Sequence, residues 1–217
     1  LGDNIVHTYT ITDNEDLPTI DFNTISSSGA ESASSKAITV DLSSASGKDI
    51  TVDYAVTGTA TGSGTDYILA NGTLNISAGS TSGIITIESI VDDSIDEEAE
   101  TIILTLSSPS NANLGSDNVH TYTINDNDGA PVVDFNTSSS SGVESISSAG
   151  LTVDLSGVSS KNVTVDYVVT GSAIGSGTDY TLANGTLSIN AGETSGTITI
   201  NNICLLYTSP SPRDRSI

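Results

Sequence analysis

The densest chemical signal in the sequence is an acidic stretch at residues 92–100, Asp-Asp-Ser-Ile-Asp-Glu-Glu-Ala-Glu. A second acidic cluster, Asp126-Asn127-Asp128, follows about thirty residues later. Carboxylates placed this closely repel one another, and a hard divalent cation relieves that repulsion. Calcium takes six to eight oxygen ligands from carboxylates, amides and backbone carbonyls, in a geometry that a loop can supply. The spacing therefore indicates a calcium site, with a solvated acidic loop as the alternative.

Catalytic chemistry is poorly supported. His7 and His120 have no serine or cysteine nucleophile in a recognisable context, and the paired carboxylates lack aromatic residues that could stack a sugar. We expect no enzymatic activity.

The composition excludes further classes of function. The chain has 27 Asp plus Glu against 5 Lys plus Arg, a formal net charge of −22, so a nucleic-acid partner is also not expected. Its single Cys permits no internal disulfide and no thiolate zinc site.

The chain contains an internal repeat with a constant offset of 113 residues. His7-Thr8-Tyr9-Thr10-Ile11 returns at 120–124, and Gly62-Ser63-Gly64-Thr65-Asp66-Tyr67 returns at 175–180. About two-thirds of the aligned positions are identical, without insertion or deletion. We therefore expect residues 1–16 to be the last strand of a preceding repeat, 17–128 a complete domain and 129–203 a truncated one.

The register of the repeat stops after Ile203. Residues 204–217 hold the only Cys and both Arg residues, and 204–214 resemble the translation of a transposase-type sequencing adapter. We interpret 204–217 as an artefact that takes no part in the fold, with a genuine divergent tail as the alternative.

Short segments with a period of two surround these clusters. Ile38, Val40 and Leu42 alternate with polar residues, as do Ile102, Leu104 and Leu106. Such runs of four to eight residues, bounded by Gly, Asn, Asp or Ser, predict an all-β antiparallel sandwich of about seven strands per repeat. Asn71-Gly72 has the chemistry of a tight turn. In this arrangement the acidic stretch 92–100 is a loop between two strands.

Several motifs together resemble the Calx-beta repeat. They are Val52-Asp53-Tyr54, Gly58-Thr59-Ala60, Gly64-Thr65-Asp66-Tyr67, Gly72-Thr73-Leu74, Ala78-Gly79, Asp92-Asp93, Glu97 and Glu100. The likeness covers residues 17–128 fully and 129–203 in part. It implies tandem immunoglobulin-like sandwiches that bind calcium at one end.

The resemblance also implies the ligands. Those in the complete domain would be Glu31, Asp66, Asp92, Asp93, the carbonyl of Ile95, Glu97, Glu100, Asp126, Asn127 and Asp128. Asn127 stands where other members carry a third Asp, so one charge is missing. In the second copy only Glu144 and Asp179 remain of this set.

The expected function is that of a calcium-binding stalk or adhesion module in a large secreted or cell-surface protein, with calcium stiffening the link between successive repeats. Its partners would be calcium ions, neighbouring Calx-beta repeats and cell-surface or matrix ligands. A calcium-sensing regulatory module of a membrane-associated protein, acting in cell communication, is the rival, and a metal-free spacer is a third possibility. The sequence contains no run of about 18 apolar residues, the length that a membrane span needs. We therefore expect no membrane span in this fragment.

Overall fold

The computed structural model describes residues 2–3, 5–12, 14–143 and 145–203. The expectations about Glu144 and about residues 204–217 lie outside these residues. The described chain contains strands and no helix, so no helix in it could cross a membrane. Its strands are β1 Thr19–Phe22, β2 Ser26–Ala30, β3 Ser35–Leu42, β4 Ile50–Gly58, β5 Gly72–Ile76, β6 Ser82–Glu88, β7 Glu100–Ser110, β8 Asn113–Leu114, β9 Val119–Asn125, β10 Val133–Phe135, β11 Ser148–Leu155, β12 Val163–Tyr167, β13 Gly185–Ile189 and β14 Ser195–Asn201.

The chain divides into two compact units. The first comprises the described residues up to Asp92 and then Ala99–Asn125. The second comprises Asp93–Glu98 and the described residues from Asp126 onward. The middle of the acidic stretch thus belongs to the second unit, although it lies within the first copy of the repeat.

The first unit is a sandwich of two sheets. One sheet has the strand order β6-β3-β1-β8, and the other has the order β2-β9-β7-β4-β5. Alternate residues of both sheets face a shared core, as the period of two predicts: Ile102, Leu104 and Leu106 of β7 are at most 1% exposed. The predicted all-β sandwich is confirmed.

His120 illustrates how this core accepts a polar side chain. It is 1% exposed, its Nδ1 lies 2.6 Å from the carbonyl oxygen of Thr24, and its Nε2 lies 2.9 Å from Ser27 Oγ. The ring also contacts Phe22, with 5.5 Å between centroids. Both ring nitrogens are therefore satisfied inside the protein, and His120 has a structural role.

The second unit repeats part of this architecture. It has a three-stranded sheet, β10-β11-β14, and a two-stranded sheet, β12-β13. Their registers reproduce those of the first copy: Val153 pairs with Gly196, as Val40 pairs with Gly83. Among the described residues its core is small, with Val153, Leu155, Ile189 and Ile198 as the buried hydrophobic residues.

Candidate metal site

Four of the predicted ligands lie in the first unit, namely Glu31, Asp66, Asp92 and Glu100. Two of them flank the last residues of β9. The backbone N–H of Glu31 donates to the carbonyl oxygen of Asn125 at 3.0 Å, and Glu100 stands opposite Ile124 in the β7–β9 ladder. Because β2 runs parallel to β9 and β7 runs antiparallel to it, Glu31 and Glu100 lie at the same end of one sheet.

Two loops bring Asp66 and Asp92 toward this end. Asp66 lies in the loop between β4 and β5, and Asp92 lies in the loop after β6. The backbone N–H of Ile90 donates to the carbonyl oxygen of Ser34 at 3.2 Å, three residues after Glu31. The backbone N–H of Val91, next to Asp92, donates to the carbonyl oxygen of Asp66 at 3.0 Å. Hydrogen bonds between loops therefore gather the four predicted carboxylates of the first unit at one end of the sandwich.

Backbone geometry fixes Asp66 within its turn. Ser63 and Gly64 have φ values of 66° and 89°, and the backbone N–H of Asp66 donates to the carbonyl oxygen of Thr61 at 2.9 Å. The second copy keeps this turn: Ser176 and Gly177 have φ values of 62° and 89°. Asp179 is held there by the backbone N–H of Ile174, 2.7 Å from its Oδ2.

The remaining predicted ligands lie in the second unit. They are Asp93, Ile95, Glu97, Asp126, Asn127 and Asp128. Asp126 holds the backbone of two of them. Its Oδ2 accepts the backbone N–H of Glu97 at 2.7 Å, and its Oδ1 accepts that of Asp128 at 2.8 Å. Nearby in sequence, Asp93 Oδ1 accepts the backbone N–H of Ile95 at 2.7 Å.

Asp126 and Asp128 form a pair of converging carboxylates. Each offers an oxygen atom, and the two atoms lie within 4.8 Å of each other. Asp128 Oδ2 is buried and has no hydrogen-bond partner among the described residues. A buried carboxylate oxygen without a donor is costly unless a cation balances it. The pair therefore fits the oxygen-rich environment that calcium requires.

Sequence reasoning missed the role of Asp96. Its side chain is 9% exposed, and its Oδ1 lies 2.6 Å from Lys161 Nζ. Ser159 Oγ donates to Asp96 Oδ2 at 2.8 Å, and Lys161 Nζ donates to the carbonyl oxygen of Glu97 at 3.1 Å. A lysine ammonium thus neutralises part of the acidic stretch.

Titration reflects this pairing. The hydrogen bond from Lys161, followed by that from Ser159, lowers the pKa of Asp96. The hydrogen bond to Asp96 raises the pKa of Lys161. Both shifts favour the charged forms, so the ion pair persists across the neutral pH range.

The contact with Lys161 yields a testable difference between the two copies. Lys48 is the repeat counterpart of Lys161 and is exposed. We expect Lys161→Met to accelerate hydrogen exchange at the Ser160 amide, which donates to the carbonyl oxygen of Asp96 at 3.0 Å, because Asp96 would lose its cation. Lys48→Met is the control with the same change in charge. Equal exchange rates at Ser160 in both variants would show that Lys161 does not hold the segment.

Three comparisons with known proteins complement this geometry. The Calx-beta domain family matches residues 13–128 and 126–204. No curated protein sequence matches the chain.

Among solved structures, CBD12 from CALX1.2 shares 25% identity, covering 85% of this chain and 76% of that one, with a TM-score of 0.48. The apo form of the Calx CBD1 domain shares 25% identity over 52% of this chain and 100% of its own, with a TM-score of 0.47. The calcium binding domain CBD12 of CALX1.1 shares 26% identity over 85% and 75%, with a TM-score of 0.47. The family match spans nearly the whole chain, and the chain belongs to the Calx-beta domain family.

Proposed function

We propose that the chain is a calcium-binding Calx-beta repeat segment whose ligands include Asp126 and Asp128. The observation that carries the proposal is the buried Asp128 Oδ2, which has no hydrogen-bond partner although it lies close to a second carboxylate. Calcium would be the positively charged partner of this oxygen. The backbone N–H bonds to Asp126 already fix one of the two carboxylates, so less ordering is needed on binding.

The other proposed ligands fall into two sets, one in the first unit and one in the second, and each set is proposed by itself. They are Glu31, Asp66, Asp92, Asp93, the carbonyl of Ile95, Glu97, Glu100 and the amide oxygen of Asn127. Asp96 is not among them because the Lys161 ammonium already balances its negative charge.

The proposed role is mechanical. Residues 126–128 are the stretch through which the chain passes from one repeat to the next. Calcium bound there would cross-link this stretch to the acidic stretch and restrict its backbone. A series of such repeats suits a stalk or adhesion module of a secreted or cell-surface protein. The large acid excess supports this function, since it keeps an exposed repeat soluble and supplies carboxylates at each junction.

Calorimetric titration of the full chain with calcium tests the proposal. We expect dissociation constants of about 10⁻⁴ to 10⁻³ M, the range of extracellular calcium modules. At 10 mM calcium, taken as about ten to a hundred times the dissociation constant, binding should add about 1.4 to 2.7 kcal/mol to the free energy of unfolding.

Magnesium at the same concentration is the control, since it demands stricter octahedral geometry and should stabilise the chain less. No heat of binding and an unchanged melting temperature in calcium would reject the proposed function.

A further inference from the structure

Strand β2 supplies no large apolar side chain to the core of the first unit, since its sequence is Ser-Ser-Ser-Gly-Ala. In the described chain it lies at the edge of its sheet, where it pairs in parallel with β9. Its inward positions are Ser27 and Gly29, and Glu31 follows in the same alternation. Parallel pairing is slightly less stable per residue than antiparallel pairing. Apolar burial by its own side chains therefore does little to hold β2 in place.

Two buried side chains of β9, His120 and Tyr122, contact β2 from the core side. Nε2 of His120 lies 2.9 Å from Ser27 Oγ, and its Nδ1 lies 2.6 Å from the carbonyl oxygen of Thr24, two residues before β2. A Cβ at Gly29 would collide with the Tyr122 hydroxyl oxygen, so the Tyr122 side chain packs directly against the β2 backbone. Polar contacts to His120 thus hold the start of β2, and close packing holds its middle.

The strand held in this way leads directly to Glu31, a proposed calcium ligand of the first unit. Glu31 follows the last residue of β2 and is 6% exposed. Its backbone N–H donates to the carbonyl oxygen of Asn125 at 3.0 Å, which extends the pairing of β2 with β9 by one residue. The position of the Glu31 carboxylate therefore depends on β2 remaining paired with β9.

We propose that His120 is a positioning residue for calcium binding: through Ser27 and Thr24 it keeps β2 paired with β9 and so holds Glu31 where it can bind the ion. The inference rests on the proposed function and concerns the ligand set of the first unit alone. Edge segments with few apolar contacts are those that open locally. A strand that opens part of the time presents its ligand part of the time, and the apparent dissociation constant rises by the inverse of the binding-competent fraction.

Ser27→Ala tests this role in the full chain. The variant removes the hydroxyl group that contacts His120 and leaves the apolar core side chains unchanged. If β2 then stays paired with β9 about a tenth of the time, the calcium dissociation constant of the Glu31-dependent binding step should rise about tenfold in a calorimetric titration. The matched control is Ser28→Ala, which makes the same change at the exposed neighbouring position of β2 and should leave calcium affinity unchanged.

Glu31→Gln shows whether the effect passes through Glu31. This variant keeps an acceptor oxygen but loses the ligand charge, so it identifies the binding step to which Glu31 contributes. Ser27→Ala should add little to the loss of calcium affinity that Glu31→Gln causes, because the position of β2 affects binding through this carboxylate. Equal weakening by Ser27→Ala with and without Glu31→Gln would indicate a general loss of stability and would overturn the proposal. Calcium binding that is insensitive to Glu31→Gln would also overturn it.

Hydrogen exchange at the Glu31 amide, measured without calcium, provides a second readout. We expect this amide to exchange faster in Ser27→Ala than in Ser28→Ala, because its hydrogen bond to Asn125 is lost whenever β2 opens. Equal exchange rates in the two variants would overturn the inference, whatever their calcium affinities. A parent chain that binds no calcium would instead reject the proposed function, and a parent chain that binds calcium as tightly as Ser27→Ala does would reject the role of His120 alone.

Discussion

Replacing Asp126 and Asp128 together with asparagine is expected to remove most of the calcium-dependent stabilisation of the chain. Asn keeps one acceptor oxygen at each position but removes two negative charges, and calcium binding depends on that charge. The stabilisation of about 1.4 to 2.7 kcal/mol expected at 10 mM calcium should fall to a few tenths. Thermal melts of the variant and the parent chain, each with and without calcium, measure this difference.

The matched control is Asp53→Asn with Asp166→Asn. These exposed strand residues occupy the same position in the two copies, and each accepts a hydrogen bond from a threonine hydroxyl, Thr73 or Thr186, that an asparagine oxygen can also accept. The control changes the net charge equally and should keep its response to calcium. If both variants lose the response, general electrostatics explains the stabilisation; if neither does, Asp126 and Asp128 are not ligands.

The calcium-free protein adds a further expectation, for Asp128→Asn alone. Asp128 Oδ2 has no hydrogen-bond donor, and its carboxylate lies close to that of Asp126. Neutralising Asp128 removes the repulsion between the pair and leaves both backbone N–H bonds to Asp126 in place, whereas Asp126→Asn would lose one of them. The Asp128→Asn variant should therefore be at least as stable as the parent chain when calcium is absent, and less stable when calcium is present. A crossing of this kind distinguishes a ligand pair from residues that support the fold alone.

The strands that could be predicted are those with alternating apolar residues, because burial on one face imposes a period of two on the sequence. β2 has no such pattern: Ser26–Ala30 reads Ser-Ser-Ser-Gly-Ala. Its strand conformation depends on parallel pairing with β9, whose residues lie about ninety positions away. A contact between segments so distant leaves no local signal in β2.

The Asn71-Gly72 pair is a local signal in the sequence, but its structural cause differs from the tight turn that we expected. The expected tight turn is absent, since residues 59–71 separate β4 from β5. Asn71 Oδ1 instead accepts the backbone N–H of Val56 at 2.8 Å. A Cβ at Gly72 would lie 2.7 Å from the Tyr54 hydroxyl oxygen, so close packing requires glycine there. Asn184 and Gly185 repeat both contacts in the second copy.

The candidate site also has a part that the sequence predicts and a part that it does not. Carboxylate density along the chain predicts where oxygen ligands would cluster, and the loop hydrogen bonds of the first unit lie next to Asp66 and Asp92, two of the predicted residues. The pairing of Asp96 with Lys161 could not be predicted, because 65 residues separate the two and charge type alone does not select one lysine. One acidic residue in the stretch therefore has a protein cation as its partner and is not a proposed metal ligand.

Completing the second copy is expected to have the largest effect on its stability. The change replaces residues 204–217 with a copy of residues 91–128 placed after Ile203. In the first unit this segment supplies Ile102, Leu104, Leu106, Tyr122 and Ile124 to the core. Burial of each such side chain contributes about 1.5–3 kcal/mol, so together they match the net stability of a whole domain, about 5–15 kcal/mol.

We expect the extended chain to show a second cooperative melting transition and dispersed amide signals for residues 163–167, because β12 would gain a partner on its open edge. The control is the same extension in which the appended copies of Ile102 and Leu104 are replaced with aspartate, while the first unit is unchanged. This control restores the length of the second copy without restoring its core. A cooperative transition of the second unit in the 217-residue chain itself, in dilute solution, would show that this unit needs no further strands.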